Sequence, residues 1–552
     1  MESQLPADLK PQASYCWLTQ TFRPFFNEEK RLEVSAVWAG GLLFVVLVGR
    51  LYATYRLYGL GFNSISADEF GRMIDAANWA IQPYALWYGP WLPFHSYFFG
   101  TILRFHWDLL WLPRIVMILI GIINLITAYL ITKVLFRNRL AAVVAAAALS
   151  LNPAHLWLSS TPLTEQLTHS IVMLALLCLI LYLQKYKSVW AALSGLLFAI
   201  GNGFRFESWV FTALFSVILV LFTFKRVLKK EQTTRASIIP LAAACLPWAF
   251  PIMWLLGNHI FTGDAFFFLN FVRDYKQTHY GLSKIPTVYS DLFSRLDPFL
   301  YRLGGYGVLF SVILRRFRWD KIAYLLAAIL PASALMWMAG GQNEPMGNYI
   351  RYFGPFLFYL YPYFGILLVG VVSYVSFPKW CKHTLLVASL LLISCYQAKN
   401  AANYYIDPAA EGVEVGLRVK QFLDENQSEH PSAIIQREYW SYLAIQTAAN
   451  DDGFLSFDPA MDKQTRDSNS LLLSDPGKWE ACVLELRPGL LVYKDKTLQE
   501  VLKERYGLLP FYEVNGYQFY SIPDDPTLLF DAWTVETCPL RPDLPFDIFE
   551  AN

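Results

Sequence analysis

In lipid a chain must satisfy every backbone N–H and C=O from within, so a membrane-length apolar stretch leaves only a helix or a closed barrel. In this sequence such stretches recur between Val34 and Gln397. Each is near the roughly 20 residues that span the hydrocarbon core as a helix. They fall at 35–54, 113–132, 140–158, 165–184, 189–203, 206–224, 236–258, 304–314, 322–340, 352–374 and 383–398. That is about eleven spans, those at 189–203 and 304–314 being short. Composition agrees: 16% of residues are charged and 55% hydrophobic, against about 25% charged in soluble domains. A net charge of +1 leaves no basic surplus for a nucleic-acid partner.

Loop charge orients these spans. "KVLFRNRL", "QKYKSV", "FKRVLKKEQTTR", "RRFRWDK" and "FPKWCKH" are short and rich in Lys or Arg, as cytoplasmic loops are. The opposing loops are either nearly uncharged or long and mixed in sign. Residues 1–34, polar and mixed in charge, then form a cytoplasmic segment rather than a signal peptide. An odd number of spans puts everything after Asn400 outside.

Beyond residue 404 the pattern changes. "GVEVGLRVKQFLDEN" and "KTLQEVLKERYG" have helical period, and "SAIIQ" and "LLVYK" read as buried strands. "FYEVNGYQFYSI" sets Asn-Gly between two alternating runs, a hairpin signal. Residues 404–552 are therefore expected to form a small α/β domain outside the membrane. The seven cysteines show no CxxC spacing, so neither zinc nor dithiol redox chemistry is indicated. Cys178 and Cys245 read as small apolar core residues. Cys482 and Cys538 share the outer region, where a disulfide between them is open.

The charges that do occur near the spans are unevenly placed. Arg114 opens the second, Glu165 the fourth, Arg205 and Glu207 separate the fifth from the sixth, and Arg351 opens the tenth. On the orientation above all lie at outer ends, on the side of the adjacent acids Asp68 and Glu69 in "NSISADEFGRM". A coupled transporter would put its carboxylates near the midplane. An enzyme working on a lipid-borne substrate needs its polar groups at one surface. For any single Arg, snorkelling is the plainer reading; for Asp68 and Glu69 it is a helix N-terminal charge.

The first outer loop, 56–112, supports the enzyme reading. "EFGRMIDAANWAI" suits an amphipathic helix lying in the interface. Pro83, Pro90 and Pro93 then stiffen an aromatic stretch around Trp91 and His95.

These residues resemble a known family. An Asp-Glu pair after the first span, an interfacial helix, the Pro-rich "YGPWLPFH" and "PR" opening the second span are similar to the GT-C glycosyltransferases. Within them they resemble the branch of the protein O-mannosyltransferases and lipid A aminoarabinose transferases. "LSLNPAHLWLSSTPLTEQL", "FTGDAFFFLNF" and "NYIRYFGP" resemble further family segments in the same order. The resemblance covers about residues 35–400 and implies an all-α polytopic GT-C domain. "YGPWLPFH" departs from the family's Pro-Pro-Leu core, and "NGFRFESW" matches no family segment, which leaves sugar and acceptor open.

What the resemblance implies is inverting transfer of a sugar from a polyprenyl-phosphate donor to a glycan, lipid or protein acceptor at the outer face of a bacterial inner membrane. Asp68 matches the catalytic base, with Glu69 orienting the acceptor or sharing its proton. Arg351, then Arg205 and Arg114, suit the donor phosphate through their planar forks. Glu165, His95, Glu207 and Tyr352 are candidate substrate contacts. For His95 a structural role competes with this, for Glu165 simple pairing with an outer Arg, and for Arg205 and Glu207 a local ion pair. No cofactor or metal is expected, since the acids form one pair and scattered singles. Two rival readings stay open: a flippase or transporter of a polyprenyl-linked or small polar substrate, and a non-catalytic assembly or sensor protein.

Overall fold

The computed structural model describes residues 32–231, 233–280, 304, 319–339, 351–402, 408–426, 432–438, 441–458, 470–523, 526–530, 538 and 540. The protein is an all-α polytopic membrane fold with a small α/β region at its C-terminal end. Its helical part runs α1 (Ala36–Gly59), α2 (Asp68–Ile81), α3 (Phe94–Leu103), α4 (Trp111–Phe136), α5 (Arg139–Ser150), α6 (Pro153–Leu158), α7 (Thr164–Lys185) and α8 (Ser188–Gly201). It continues with α9 (Glu207–Leu228), α10 (Thr234–Cys245), α11 (Ala249–Thr262), α12 (Phe267–Tyr280), α13 (Trp319–Ala339), α14 (Tyr361–Tyr374) and α15 (Lys379–Ala402).

Among the described residues seven stretches are long and apolar enough to cross a membrane: α1, α4, α7, α9, the bent pair α10–α11, Arg351–Tyr374 and α15. With the shorter apolar α5 and α8 and with α13, they match every expected span but one. The span expected at 304–314 lies outside the described residues apart from Gly304, as do residues 1–31. The expected span at 140–158 is two helices, because Pro153 opens α6 and Asn152 caps it, its Oδ1 accepting from the His155 amide at 3.0 Å. Close approach of α14 to α5 needs small residues: a Cβ on Gly365 would stand 3.0 Å from that of Ala145.

The loop between α1 and α4 holds two helices, α2 and α3. On α2, Phe70, Met73, Ile74 and Ala77 are buried. Asp68, Arg72, Asp75 and Trp79 recur at positions that share the opposite stripe.

The C-terminal region is built from α16 (Glu411–Asn426), β1 (Ala433–Gln436), α17 (Ser441–Ala449), β2 (Leu455–Asp458), α18 (Pro476–Leu486), β3 (Leu490–Tyr493), α19 (Lys496–Tyr506), β4 (Tyr512–Val514) and β5 (Tyr517–Ser521). The sheet order is β2-β1-β3-β5-β4. β1 pairs in parallel with β2 and β3, and β5 pairs antiparallel with β3 and β4. The Asn-Gly hairpin forms as the sequence indicates: Asn515 and Gly516 have φ of 51° and 79°, joining β4 to β5. Cys482 and Cys538 are bonded, their Cα atoms 4.4 Å apart.

Candidate functional site

The polar stripe of α2 faces a buried ion network. Arg351, which precedes α14, donates from Nη1 to Asp68 Oδ2 at 2.8 Å and to Ser66 Oγ at 2.6 Å. Its Nε and Nη2 both reach Glu165 Oε1, at 3.0 and 2.9 Å. The same carboxylate oxygen accepts from Arg205 Nη1 at 2.9 Å. Arg205 in turn forks onto Glu207, Nε to Oε2 at 3.0 Å and Nη2 to Oε1 at 2.5 Å. The ring of Tyr352 lies under both guanidiniums, 5.2 Å from that of Arg205 and 5.4 Å from that of Arg351. Five groups from four segments far apart in sequence thus alternate in charge: Asp68, Arg351, Glu165, Arg205, Glu207.

Access is graded along this chain. The side chains of Arg351 and Glu165 are each 1% exposed, that of Arg205 is 12% and that of Asp68 is 54%. Crowding by protein works to raise the pKa of Asp68, but the guanidiniums of Arg351 and Arg72 outweigh it and hold the carboxyl below its ordinary value. Asp68 is therefore ionised at neutral pH and half-open to an incoming group, whereas Glu165 is enclosed.

Two members of the cluster were not singled out from the sequence. Arg72 stands four residues beyond Asp68, one turn along α2, and its charge acts on Asp68, Glu165, Arg205 and Arg351. Its guanidinium lies 5.7 Å from the ring centre of Trp91, and its buried Nε has no hydrogen-bond partner. Asp75 lies a further turn along; burial pushes its pKa up to about 6, with Arg72 offsetting only part. Spacings of four and seven from Asp68 on an amphipathic helix were the available signal.

The other expected site residues lie elsewhere. Glu69 is adjacent to Asp68 in sequence but points away from it, because neighbouring helix positions face different directions. It is 1% exposed and pairs with Arg114 Nη2 at 3.1 Å. Arg114 also donates to the Asn63 carbonyl at 2.6 Å and is 2% exposed. Its guanidinium lies near the rings of Tyr58 and Trp111, at 5.9 and 5.5 Å. The pair ties the start of α2 to α4. It opens neither to the proton shared with Asp68 expected for Glu69 nor to the donor phosphate expected for Arg114. His95 is buried, its Nε2 2.7 Å from the Pro162 carbonyl. Burial, with the charge of Arg72, holds its pKa down at about 3. It is thus neutral and donates to that carbonyl, two residues before the helix start that carries Glu165.

One buried cation inside a span was also passed over. Arg50 of α1 donates from Nη1 to the Ser150 carbonyl at 2.7 Å and from Nη2 to those of His155 and Leu156 at 3.2 and 3.4 Å. Nη2 also meets the Ser159 hydroxyl. It thereby ties the end of α5 to α6, whose His155 and Leu156 carbonyls also accept from Ser159 N and the Ser160 hydroxyl. Among the described residues no group of three or more His, Cys, Asp or Glu side chains is placed to hold a metal ion.

The comparisons with known proteins follow from this arrangement. The family model described as dolichyl-phosphate-mannose-protein mannosyltransferase matches residues 89–251. That stretch holds Glu165, Arg205 and Glu207 but not Asp68 or Arg351. ArnT from Cupriavidus metallidurans bound to undecaprenyl phosphate is similar in structure, with a TM-score of 0.54 at 12% identity over 89% of this chain and 99% of that one. Its apo form gives 0.52 at 12% identity over 90% of this chain and 100% of the other. The oligosaccharyltransferase of Archaeoglobus fulgidus, solved with zinc and sulfate, gives 0.44 at 14% identity over 84% of this chain and 68% of that one. No curated protein matches by sequence. The likeness to ArnT shows that this chain shares its fold.

Proposed function

We propose that this protein transfers a sugar from a polyprenyl-phosphate donor to an acceptor at the outer, periplasmic face of a bacterial inner membrane, with inversion. The observation that carries the reading is Asp68: ionised, half-exposed, and fixed by Arg351 beside two further arginines. The matched mannosyltransferase family and the undecaprenyl phosphate bound by ArnT from Cupriavidus metallidurans support the donor class.

In the proposed step the acceptor hydroxyl attacks the anomeric carbon from the face opposite the phosphate. Its proton passes to Asp68 as the new C–O bond forms. The bond from the anomeric carbon to the phosphate oxygen breaks, and the lipid phosphate leaves with the electron pair. Phosphate is already a good leaving group, so the protein's task there is to meet its charge. Arg205, partly open, and Arg72, with an unmade hydrogen bond at Nε, take that role.

Arg351 is too enclosed to be the first phosphate ligand. It positions Asp68 and Glu165 instead, while Glu207 and Tyr352 hold Arg205. Glu69 and Arg114 clamp the start of α2, and His95 holds the carbonyl before Glu165. The spans beneath supply walls for the isoprenoid among the membrane lipids.

Sidedness rests on two features. Disulfides persist in oxidising compartments, so the bond between Cys482 and Cys538 favours an outer position for residues 404–552. Asp68 belongs to the same side, because α17 of that region packs on α2. The Lys- and Arg-rich loops favour the same orientation. A transporter would draw on an intramembrane charge such as Arg50, but the bonds of Arg50 go to backbone carbonyls and one hydroxyl.

The test is sugar transfer from radiolabelled polyprenyl-phosphate donor in proteoliposomes. Asp68→Asn is expected to lower the rate by about 10²- to 10⁴-fold while undecaprenyl phosphate still binds. Arg205→Ala is expected to weaken that binding. Full-rate transfer by Asp68→Asn would end the assignment.

A further inference from the structure

We infer that the C-terminal α/β region is the seat of α2, and that its helix α17 sets the alignment of Asp68 on Arg351. Leu443 of α17 and Asn450, just beyond its end, are the positioning residues.

The interfacial helix cannot fix its own start. Its N-cap position is Ala67, which supplies no side-chain cap bond. The short local contact is Asp68 N to Ser66 Oγ at 3.3 Å, and that hydroxyl also receives Arg351. A 2.8 Å bond from Asp68 to a cation 283 residues away demands a better-defined helix position than this contact supplies, and the clamp of Glu69 on Arg114 holds α2 from the α4 side only.

The apolar face of α2 provides it. Phe70, Met73 and Ile74 enter one continuous core with Leu443 and Ile445 of α17 and with Val492 of the sheet. Phe70 and Met73 are 1% and 0% exposed. The two helices meet at the first turn, where a Cβ on Gly71 would stand 3.4 Å from Leu443 Cδ1, three residues from Asp68.

The far end of α17 is fastened to the same loop. Asn450, in the left-handed region at φ 61°, accepts from Leu109 N at 2.9 Å and donates from Nδ2 to the Trp107 carbonyl at 3.3 Å. Helix α17 thus bridges the start of α2 and the entry to α4. A movement of the α/β region is therefore transmitted to Asp68.

The test is hydrogen exchange on the full chain in nanodiscs, paired with the pH profile of transfer. Leu443→Ala and Asn450→Gly, the latter keeping the positive φ, are expected to speed exchange of the amides in 68–75 about tenfold. The rising limb of the transfer profile should move to higher pH, as Asp68 loses hold of Arg351. Leu443→Met should restore both. Leu502→Ala, in the core on the other side of the sheet, loosens the same region without touching α2 and should leave 68–75 unchanged.

Unchanged exchange at 68–75 in both Leu443→Ala and Asn450→Gly, with α17 loosened, would overturn the inference. So would an equal response to Leu502→Ala. Only the role of Asp68 rests on the proposed function: faster exchange with an unmoved pH profile would keep the seat and remove the base.

Discussion

Arg50 and Arg351 are both long cations almost wholly withdrawn from water, 2% and 1% exposed, yet their partners differ in kind. Arg50 is met by carbonyls and a hydroxyl where two helices end. Those dipoles are fixed by the backbone and take up no proton. Arg351 is met by Asp68 and Glu165, carboxylates that carry their own charge and can take up a proton. The first arrangement is a joint that holds a broken span together. The second, on the proposed function, faces the substrate. Buried charge alone therefore marks neither structure nor function; the chemistry of its partners does.

Arg351→Met puts the contrast under the greatest load. Transfer should fall by about 10³-fold, since Asp68 and Glu165 lose their shared cation. Asp68 has a depressed pKa in the folded protein. Its ion pair therefore stabilises fully above the unfolded value near 3.8 and is lost as pH falls through the lower folded value. Without Arg351 that carboxyl titrates higher, so the acid limb of the rate profile should move up by about one pH unit. An unmoved limb in steady-state kinetics would show that Arg351 does not govern Asp68.

Arg50→Met should do the reverse. Loss of the bonds to these carbonyls lowers thermal stability, with a fall in Tm of about 5 °C, while the molecules still folded transfer at nearly the native rate. A loss of rate well beyond the loss of folded protein would make Arg50 part of the reactive machinery.

The smallest effect belongs to Asp75→Asn. With a folded pKa of about 6 against 3.8, Asp75 favours folding below its unfolded value, and that contribution is lost as pH rises through 6. The variant should flatten this slope and gain on the order of 2 °C in Tm at pH 7. A melting-temperature series from pH 4 to 8 with no difference from the native protein would place Asp75 in open water.

The spans could be read from the sequence because hydropathy over a long window survives single exceptions, and Arg50 shows the other side of that strength. One charge in α1 does not break the pattern, and its carbonyl partners lie about a hundred residues away. The acid pair Asp68 and Glu69 stands out in the sequence, but adjacency in sequence is not adjacency on a helix: Asp68 pairs with Arg351 and Glu69 with Arg114. Arg72 and Asp75 were within reach of the same rule, applied forwards from Asp68. Hairpin β4–β5 announced itself through Asn515 and Gly516. In contrast, β2 and α17 were passed over although Asp452-Gly453 marks a turn between them, and the packing of α17 on α2 joins segments more than 300 residues apart. Long-range pairing such as that of Arg351 with Asp68 leaves no local trace.

A single oxygen of Glu165 sits between two guanidiniums, and this has a consequence for which anions the cleft admits. On the proposed function it acts as a resident competitor: a dilute, freely diffusing phosphate finds the berth on Arg205 taken. A phosphate tethered in the bilayer by its own long tail is present at far higher effective concentration and can displace the occupant. Discrimination of this kind arises from crowding out, with no contact to the sugar at all.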